Sequence, residues 1–349
     1  MKIAIHHRKG SFSDRWFAYC TQQGIDCKLV NCYETDIMDQ LKDCDVLMWH
    51  HSQIEYKDVL FAKQLLSAVA QSGKKTFPDY KTGWHFDDKV GQKYLFESIE
   101  APFVPSYVFY TREEVLKWID HAIFPKVFKL RGGAGSENVK LVNSSVQAKK
   151  LVKKAFGTGF TPFDRLVYLK ERIRQYKEGK SPLMGVIKGL GRLFIPTEFA
   201  RMHGREKGYI YFQDFIPNNQ FDIRVVVIFG KAFAAKRMVR KNDFRASGSG
   251  NILYEKQHLP IDCVKLAFQL SVKLQTQCVA FDFVYNEEGN PLVIEMSYGF
   301  PTLATDPCIG YWDESLQFHE GPFTPQNWMV EALINKMHFL PDFPAKFLN

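Results

Sequence analysis

No uninterrupted apolar run approaches the 18 or so residues of a membrane-spanning helix, which excludes an ordinary transmembrane segment. No CxxC pair occurs. The seven cysteines (Cys20, Cys27, Cys32, Cys44, Cys263, Cys278 and Cys308) are odd in number, so neither a disulfide framework nor a zinc knuckle is indicated, and a reducing, cytoplasmic setting is expected. The opening MKIAIHHRKG lacks a signal peptide's long apolar core and reads as a first buried strand. Residues 1–30 hold no GxGxxG, which disfavours a dinucleotide enzyme built on that region. The sequon at Asn143 carries no weight in a cytoplasm. What remains is ordinary for a soluble globular protein: 46% hydrophobic, 24% charged and 349 residues, enough for two or three domains. The net charge of +8 allows an anionic ligand such as nucleotide, phosphate or acidic polymer, but is too diffuse to name nucleic acid, and none is expected.

Residues 1–80 alternate short apolar runs with helical patterns over residues 13–24, 34–44 and 55–72, which argues a parallel open sheet with crossover helices. Two of the runs end in His6-His7 and His50-His51. Open α/β sheets bind ligands at the carboxyl ends of their strands, so His6, Arg8 or His50 could touch an acceptor; ordinary strand-end hydrogen bonds are the other reading. A helix is expected over 85–98, then a strand, then a helix opened by the capping box Thr111/Glu114. FPKVFKLRGGAGSENVKLV reads as strand, glycine-rich loop, strand. Gly132, Gly133 and Gly135 would let backbone approach an anion, or simply make a hairpin turn. No GKS or GKT follows, so this is not a Walker A loop. Lys129, entering the loop, could reach a phosphate or sit solvated at an edge. A helix follows at 144–156. Residues 157–208 are basic, with an amphipathic helix expected at 163–180, either solvated on a lid or facing an anionic acceptor or membrane surface.

From 209 the chain gives one strand and then a hairpin expected to turn at Gly230-Lys231, which would set Arg224 opposite Arg237. Arginines so placed repel unless a polyanion lies between them. The loop NDFRASGSGN is rich in small residues, and 260–276 reads as an amphipathic helix. VAFDFVYNEEGNPLVIEMSY (279–298) reads as a second hairpin. With Glu288-Gly289 as its turn, Asp282 opposes Glu295 with Cβ atoms roughly 5 Å apart, and Ser297 shares the Glu295 face. Opposed carboxylates invite a cation, and all-oxygen donors suggest Mg²⁺. Solvated acids on an open face are the alternative.

These stretches, in this order, resemble the ATP-grasp superfamily over residues 85–141 and 209–299. The nearest likeness is the carboxylate–amine ligase branch that includes ribosomal-protein glutamate ligase and bacterial glutathione synthetase. The matching pieces are Gln213-Asp214-Phe215-Ile216, Asp222-Ile223-Arg224, Phe244-Arg245-Ala246-Ser247, and Asp282 with Glu295-Met296-Ser297. The resemblance implies an α/β (α+β) ATP-grasp fold: an N-terminal parallel open-sheet domain (1–84), a small lid with the glycine-rich loop and basic insert (85–208), and a C-terminal antiparallel-sheet domain with helices (209–349). It implies ATP as cofactor, with Mg²⁺ or alternatively Mn²⁺. Lys89 and Lys129 would touch nucleotide phosphate, with Gly132, Gly133 and Gly135 closing over it. Gln213, Asp214 and Phe215 would form the adenine hinge, and Asp222 would hold the ribose side. Arg224 and Arg245 would stabilise the transferred phosphoryl group, with Ser247 beside them. Asp282, Glu295 and Ser297 would be the metal ligands. Ser247 and Ser297 stand where the branch has Asn.

The implied reaction joins a carboxylate to an amine through an acyl phosphate, releasing ADP and phosphate. Its substrates would be small molecules or peptide or saccharide carboxylates and amines, with surface polysaccharide or small peptide as the associated class, and a homodimer is the expected assembly. A non-catalytic nucleotide-binding regulator of the same fold is the competing reading. The aromatic tail after 298 would line the acceptor site or pack over the C-terminal domain.

Overall fold

Four short apolar runs near the N-terminus become β1 (Ile3–His6), β2 (Cys27–Val30), β3 (Val46–Trp49) and β4 (Lys75–Phe77), a parallel sheet in the order β2-β1-β3-β4. The computed structural model describes residues 1–133, 138–161, 168–169, 172–174, 176, 182–194, 198–240 and 243–335. β1 and β3 are buried along their whole length because both faces of the sheet are covered. Helix Phe12–Gln22, started by the Ser11 side chain accepting from Ser13 N, lays Phe12, Trp16 and Cys20 on one face. Helix Tyr56–Gln71 lays Ala62 and Leu66 on the other, against Leu47 and Trp49. The helix expected at 34–44 is a single turn, Ile37–Gln40, although Ile37, Leu41 and Cys44 all reach the core.

A middle sheet is antiparallel throughout: β5 (Ser106–Phe109), β6 (Lys126–Lys129), β7 (Lys140–Val142) and β8 (Ile210–Asp214), in the order β5-β8-β6-β7. Helices Arg112–Ile119 and Ser145–Ala155 bury Val115, Ile119, Ala148 and Val152 on it, forming a core of its own. Thr111 Oγ1 accepts from Glu114 N at 3.3 Å, the first bond of a capping box, and its hydroxyl donates to the Glu114 carboxylate at 2.7 Å. Of residues 163–180, those described (168–169, 172–174 and 176) are helical.

The large sheet has seven strands: β9 (Phe221–Ile228), β10 (Lys231–Met238), β11 (Ile252–Leu253), β12 (Cys278–Tyr285), β13 (Pro291–Ser297), β14 (Gly310–Asp313) and β15 (Phe318–Glu320). Its order is β13-β12-β9-β10-β14-β15, with β11 on β10. Helix Ile261–Leu274 covers one face, where Val225, Val227 and Phe281 point. The other face, with Val226, Ile228 and Phe233, packs on Trp16, Ile3 and Ile5 of the first sheet and on Trp328 of the tail. That tail ends in helix Pro325–Ile334, which lies along helix Phe12–Gln22; Tyr19 donates to Glu331 at 2.7 Å, and Arg15 forks onto Asp306 at 2.8 and 2.6 Å. Most of the tail therefore packs, as one of its two readings had it.

Two registers differ from expectation. The first hairpin turns at Phe229-Gly230, not Gly230-Lys231, and both turn residues have positive φ (42° and 81°). Such a two-residue turn has the twist that antiparallel strands require. Arg237 consequently faces Asp222 while Arg224 faces Ala235, and the expected confrontation of two arginines is absent. In the second hairpin Asp282 does pair with Glu295, but the ladder then shifts: Phe283 pairs with Val293 and Tyr285 with Pro291. Ile294 is the extra residue of a β-bulge. The bulge lets Val293 and Met296, three apart, both enter the core, while Ile294 and Glu295 both line a cleft. Among the described residues no helix is long and apolar enough to cross a membrane.

Candidate functional site

The cleft lies between the middle and large sheets. Its inner half is an apolar slot between Val104 and Val127 on one side and Phe221, Val284 and Ile294 on the other, with Phe244 beside it. Its outer half is lined by Lys89, Lys129, Asp222, Arg237, Asp282 and Glu295. A planar apolar group followed by an anionic tail matches this division.

Alternating charge organises the outer half. Arg237 forks onto Asp222 at 2.6 and 2.7 Å and reaches Asp282 Oδ2 at 2.8 Å. Arg224 forks onto Asp282 at 2.7 and 2.8 Å. The hairpin registers explain the ladder: β9 lies between β10 and β12, so Arg224 faces Asp282 on one side and Asp222 faces Arg237 on the other. Burial pushes the Asp282 carboxyl up, but the two guanidiniums outweigh it and hold it well below the usual carboxylate range. The anion between the two arginines is thus a side chain of the protein itself.

Lys129 is buried, not the solvated edge charge of its alternative reading. Loss of water lowers its ammonium to about 8, with Glu295 acting in the opposite direction. Lys89, the first residue of helix Lys89–Ser98, donates to Gly133 O at 2.9 Å and lies 3.8 Å from Glu295 Oε2. Gly133 has φ 114°, and its N–H donates to Asp87 at 2.8 Å rather than standing open to a ligand. A Cβ on Gly132 would lie 3.0 Å from the same carboxylate. Gly135 lies outside the described residues.

The remaining expected residues divide. Gln213 is buried, and its amide donates to Ser106 Oγ at 3.1 Å and to Ile294 O at 3.2 Å, tying β8 to the bulge. Asp214 pairs with Lys126 at 2.5 Å, and Phe215 meets Phe244 edge-on at 5.8 Å. Arg245 lines the cleft with its guanidinium turned onto Asp243 at 2.6 Å. The Ser247 carbonyl accepts from Arg240 Nε at 2.9 Å. Ser297 donates its hydroxyl to Gly299 O at 2.7 Å. Asp87 and Arg237 were not among the expected site residues. The sequence set Arg237 opposite Arg224, and the assumed turn hid its pairing with Asp222, which only the Phe229-Gly230 register produces. Asp87 had no signal in the sequence.

As donors for a divalent cation, Asp282 and Glu295 fit. Both offer hard oxygens. Three N–H groups occupy Asp282, leaving one of a carboxylate's roughly four acceptor positions. Among the described residues no three His, Cys, Asp or Glu side chains converge as a cage. Mg²⁺, which usually keeps waters and takes one or two carboxylates, needs no such cage.

A second cavity of ≈ 360 Å³ continues from the cleft past Lys89 and Glu295 to the carboxyl ends of β1 and β3. Arg8, His50, His51 and Ser297 line it. His50 stacks on Phe12 (3.7 Å between ring centres), and its Nδ1 accepts from Phe12 N at 3.1 Å. Burial, helped by Arg8, lowers its pKa well below the ordinary value. His6 is not part of this wall; its Nδ1 accepts from Cys32 N at 3.0 Å, an ordinary strand-end bond.

Residues 200–303 match the RimK-like ATP-grasp domain family. No curated protein matches the chain. Among solved structures, the chain is similar to a RimK domain ATP-grasp protein from Sphaerobacter thermophilus, with 14% identity, 96% of this chain and 100% of that one covered, and TM-score 0.55. It is similar to D-alanine–D-alanine ligase from Bacillus anthracis complexed with ATP (11% identity, 97% and 98% covered, TM-score 0.57). It is also similar to the biotin carboxylase domain of Hydrogenobacter thermophilus 2-oxoglutarate carboxylase in complex with MgADP (12%, 95% and 69%, 0.58). The chain thus shares the fold of these ATP-grasp structures over almost its whole length, and residues 200–303 match the RimK-like ATP-grasp domain within it.

Proposed function

We propose that the chain is an ATP-dependent carboxylate–amine ligase. The observation that carries this reading is the meeting, at one end of an apolar slot, of the Asp222–Arg237–Asp282–Arg224 ladder with Lys89, Lys129 and Glu295. The slot suits adenine, with Gln213, Asp214 and Phe215 at its hinge, and the charged end suits a triphosphate. Asp282 and Glu295 would hold Mg²⁺, which when bound neutralises phosphate charge and aligns it for in-line transfer. Phosphoryl transfer asks the protein for positioning and charge cancellation. Lys129 supplies cationic charge from the middle sheet, Lys89 from the start of the helix Lys89–Ser98 that packs on the large sheet, and Arg224, fixed by Asp282, from the large sheet itself. Arg245 would add to it after leaving Asp243.

The acid would enter by the second cavity, where Arg8 can hold a carboxylate. A carboxylate oxygen attacks the γ-phosphorus and the bond to ADP breaks. An amine nitrogen then attacks the acyl carbon, loses a proton, and phosphate leaves. The flanking sheets exclude water, which would otherwise hydrolyse the acyl phosphate. We place the substrates among small-molecule, peptide or saccharide acids and amines. The seven free cysteines support a reducing, cytoplasmic setting.

The test is ADP release in the presence of panels of acids and amines, with Glu295→Gln expected to lower it by about 10²-fold. The non-catalytic alternative is favoured by one observation, the Ser297 hydroxyl engaged with Gly299. Mg²⁺–ATP raising the melting temperature with no ADP release from any pair would select it. No thermal shift with Mg²⁺–ATP would remove both readings.

A further inference from the structure

Helix Leu183–Phe194 belongs to none of the buried cores. Leu183, Ile187 and Leu190, at helical spacing, and the adjacent Met184 are 53%, 52%, 48% and 56% exposed and make one aliphatic stripe facing water. Gly189 faces the opposite way, against the protein: a Cβ there would lie 3.0 Å from Leu169 Cδ1. Lys188 and Arg192, one turn apart and both exposed, lie together beyond the Met184 edge of the stripe. Three glycines in twelve residues make this a poor helix on propensity alone, so the stripe is not spent on the helix's own stability.

Charge identifies what covers it. Residues 157–208 carry eleven Lys and Arg against five Asp and Glu, so six of the chain's eight net positive charges lie in this one segment. A second copy docked face to face would bring two such segments together and be repelled. The stripe has no Trp or Tyr to anchor a shaped protein pocket. A lipid surface needs no such shape, and a short helix with aliphatic residues on one side and Lys and Arg beside them is what lies in a bilayer interface.

We propose that helix Leu183–Phe194 is an interfacial anchor, laying Leu183, Ile187 and Leu190 into the headgroup boundary of an anionic lipid bilayer with Lys188 and Arg192 at the phosphates. This goes beyond the ligase reading and stands apart from it, since neither cavity includes the helix.

The experiment is co-sedimentation of the full chain with vesicles of phosphatidylcholine alone and of equal parts phosphatidylcholine and phosphatidylglycerol. Binding is expected to the anionic vesicles only and to weaken with salt. Lys188→Gln and Arg192→Gln should each lower affinity about five-fold, and the triple change Leu183→Ser, Ile187→Ser, Leu190→Ser should abolish binding with an unchanged melting temperature. Hydrogen exchange on the unaltered chain guards against a variant that misfolds: amides 183–192 should slow with anionic vesicles present. Equal binding to both vesicle types, no binding, or an unprotected helix would overturn the proposal. So would soluble polyglutamate binding as tightly as vesicles, which would assign an acidic polymer, or a dimer dispersed by the triple change, which would assign a second copy.

Discussion

Lys129 is a cation stripped of water beside a wall suited to anions. Its folded pKa of about 8 lies below the ordinary 10.5, so between those values the unfolded chain holds the extra proton. Stability from this group therefore rises with pH across that window, and its burial costs stability below it. Lys129→Met should melt higher than the natural chain at pH 7, with the gap closing above pH 10. A bound triphosphate should raise the lysine's pKa again, so Mg²⁺–ATP binding at pH 8 should take up roughly half a proton. Calorimetry in buffers of different ionisation enthalpy would read this, and Lys129→Met should not show it. Arg237 makes the opposite case. It is buried between two carboxylates, so Arg237→Leu strands Asp222, leaves Asp282 with Arg224 alone, and should cost about 3–5 kcal/mol by denaturant unfolding. The identities of Lys129, Asp282 and Glu295 were legible because charged residues in apolar strands are few and their spacing is regular. The role of Arg237 was not, because opposition across a hairpin depends on where the chain turns, and a shift of two residues leaves the sequence pattern unchanged.

At the scale of the element, turns and bulges decide what the strands present. The apolar alternation marked all four hairpin strands, and helices 144–156 and 260–276 appear as Ser145–Ala155 and Ile261–Leu274. The bulge at Ile294 was not legible: an unbroken ladder also pairs Asp282 with Glu295, and only the joint burial of Val293 and Met296 reveals the inserted residue. Gly230 is the turn residue with least freedom. Its φ is 81°, and a Cβ there would run into the Glu314 carboxylate, whose Cδ would be 2.7 Å away. Gly230→Ala should destabilise by about 1–2 kcal/mol, measured by chemical denaturation, while Gly289→Ala, with φ 81° and open space around it, should cost less.

Across the whole molecule, the first and large sheets share one core through Trp16, Phe233 and Trp328. Trp328→Ala should cost about 3–5 kcal/mol and split a common calorimetric transition of these two sheets into separate ones. This joint was not legible, because the aromatic tail shows no periodicity that says which sheet it will meet. The middle sheet is built differently: among the described residues, Val115, Phe128, Val152 and Phe212 belong to a core of their own. It meets the rest through polar ties such as Gln213 to Ile294 and Lys89 to Gly133. Swinging it outward would therefore leave that core closed, uncover the apolar lining of the cleft, and break hydrogen bonds that water can replace. Exchange of the proposed nucleotide would then use a hinge and not an unfolding step, with Lys129 on one jaw and Asp282 on the other.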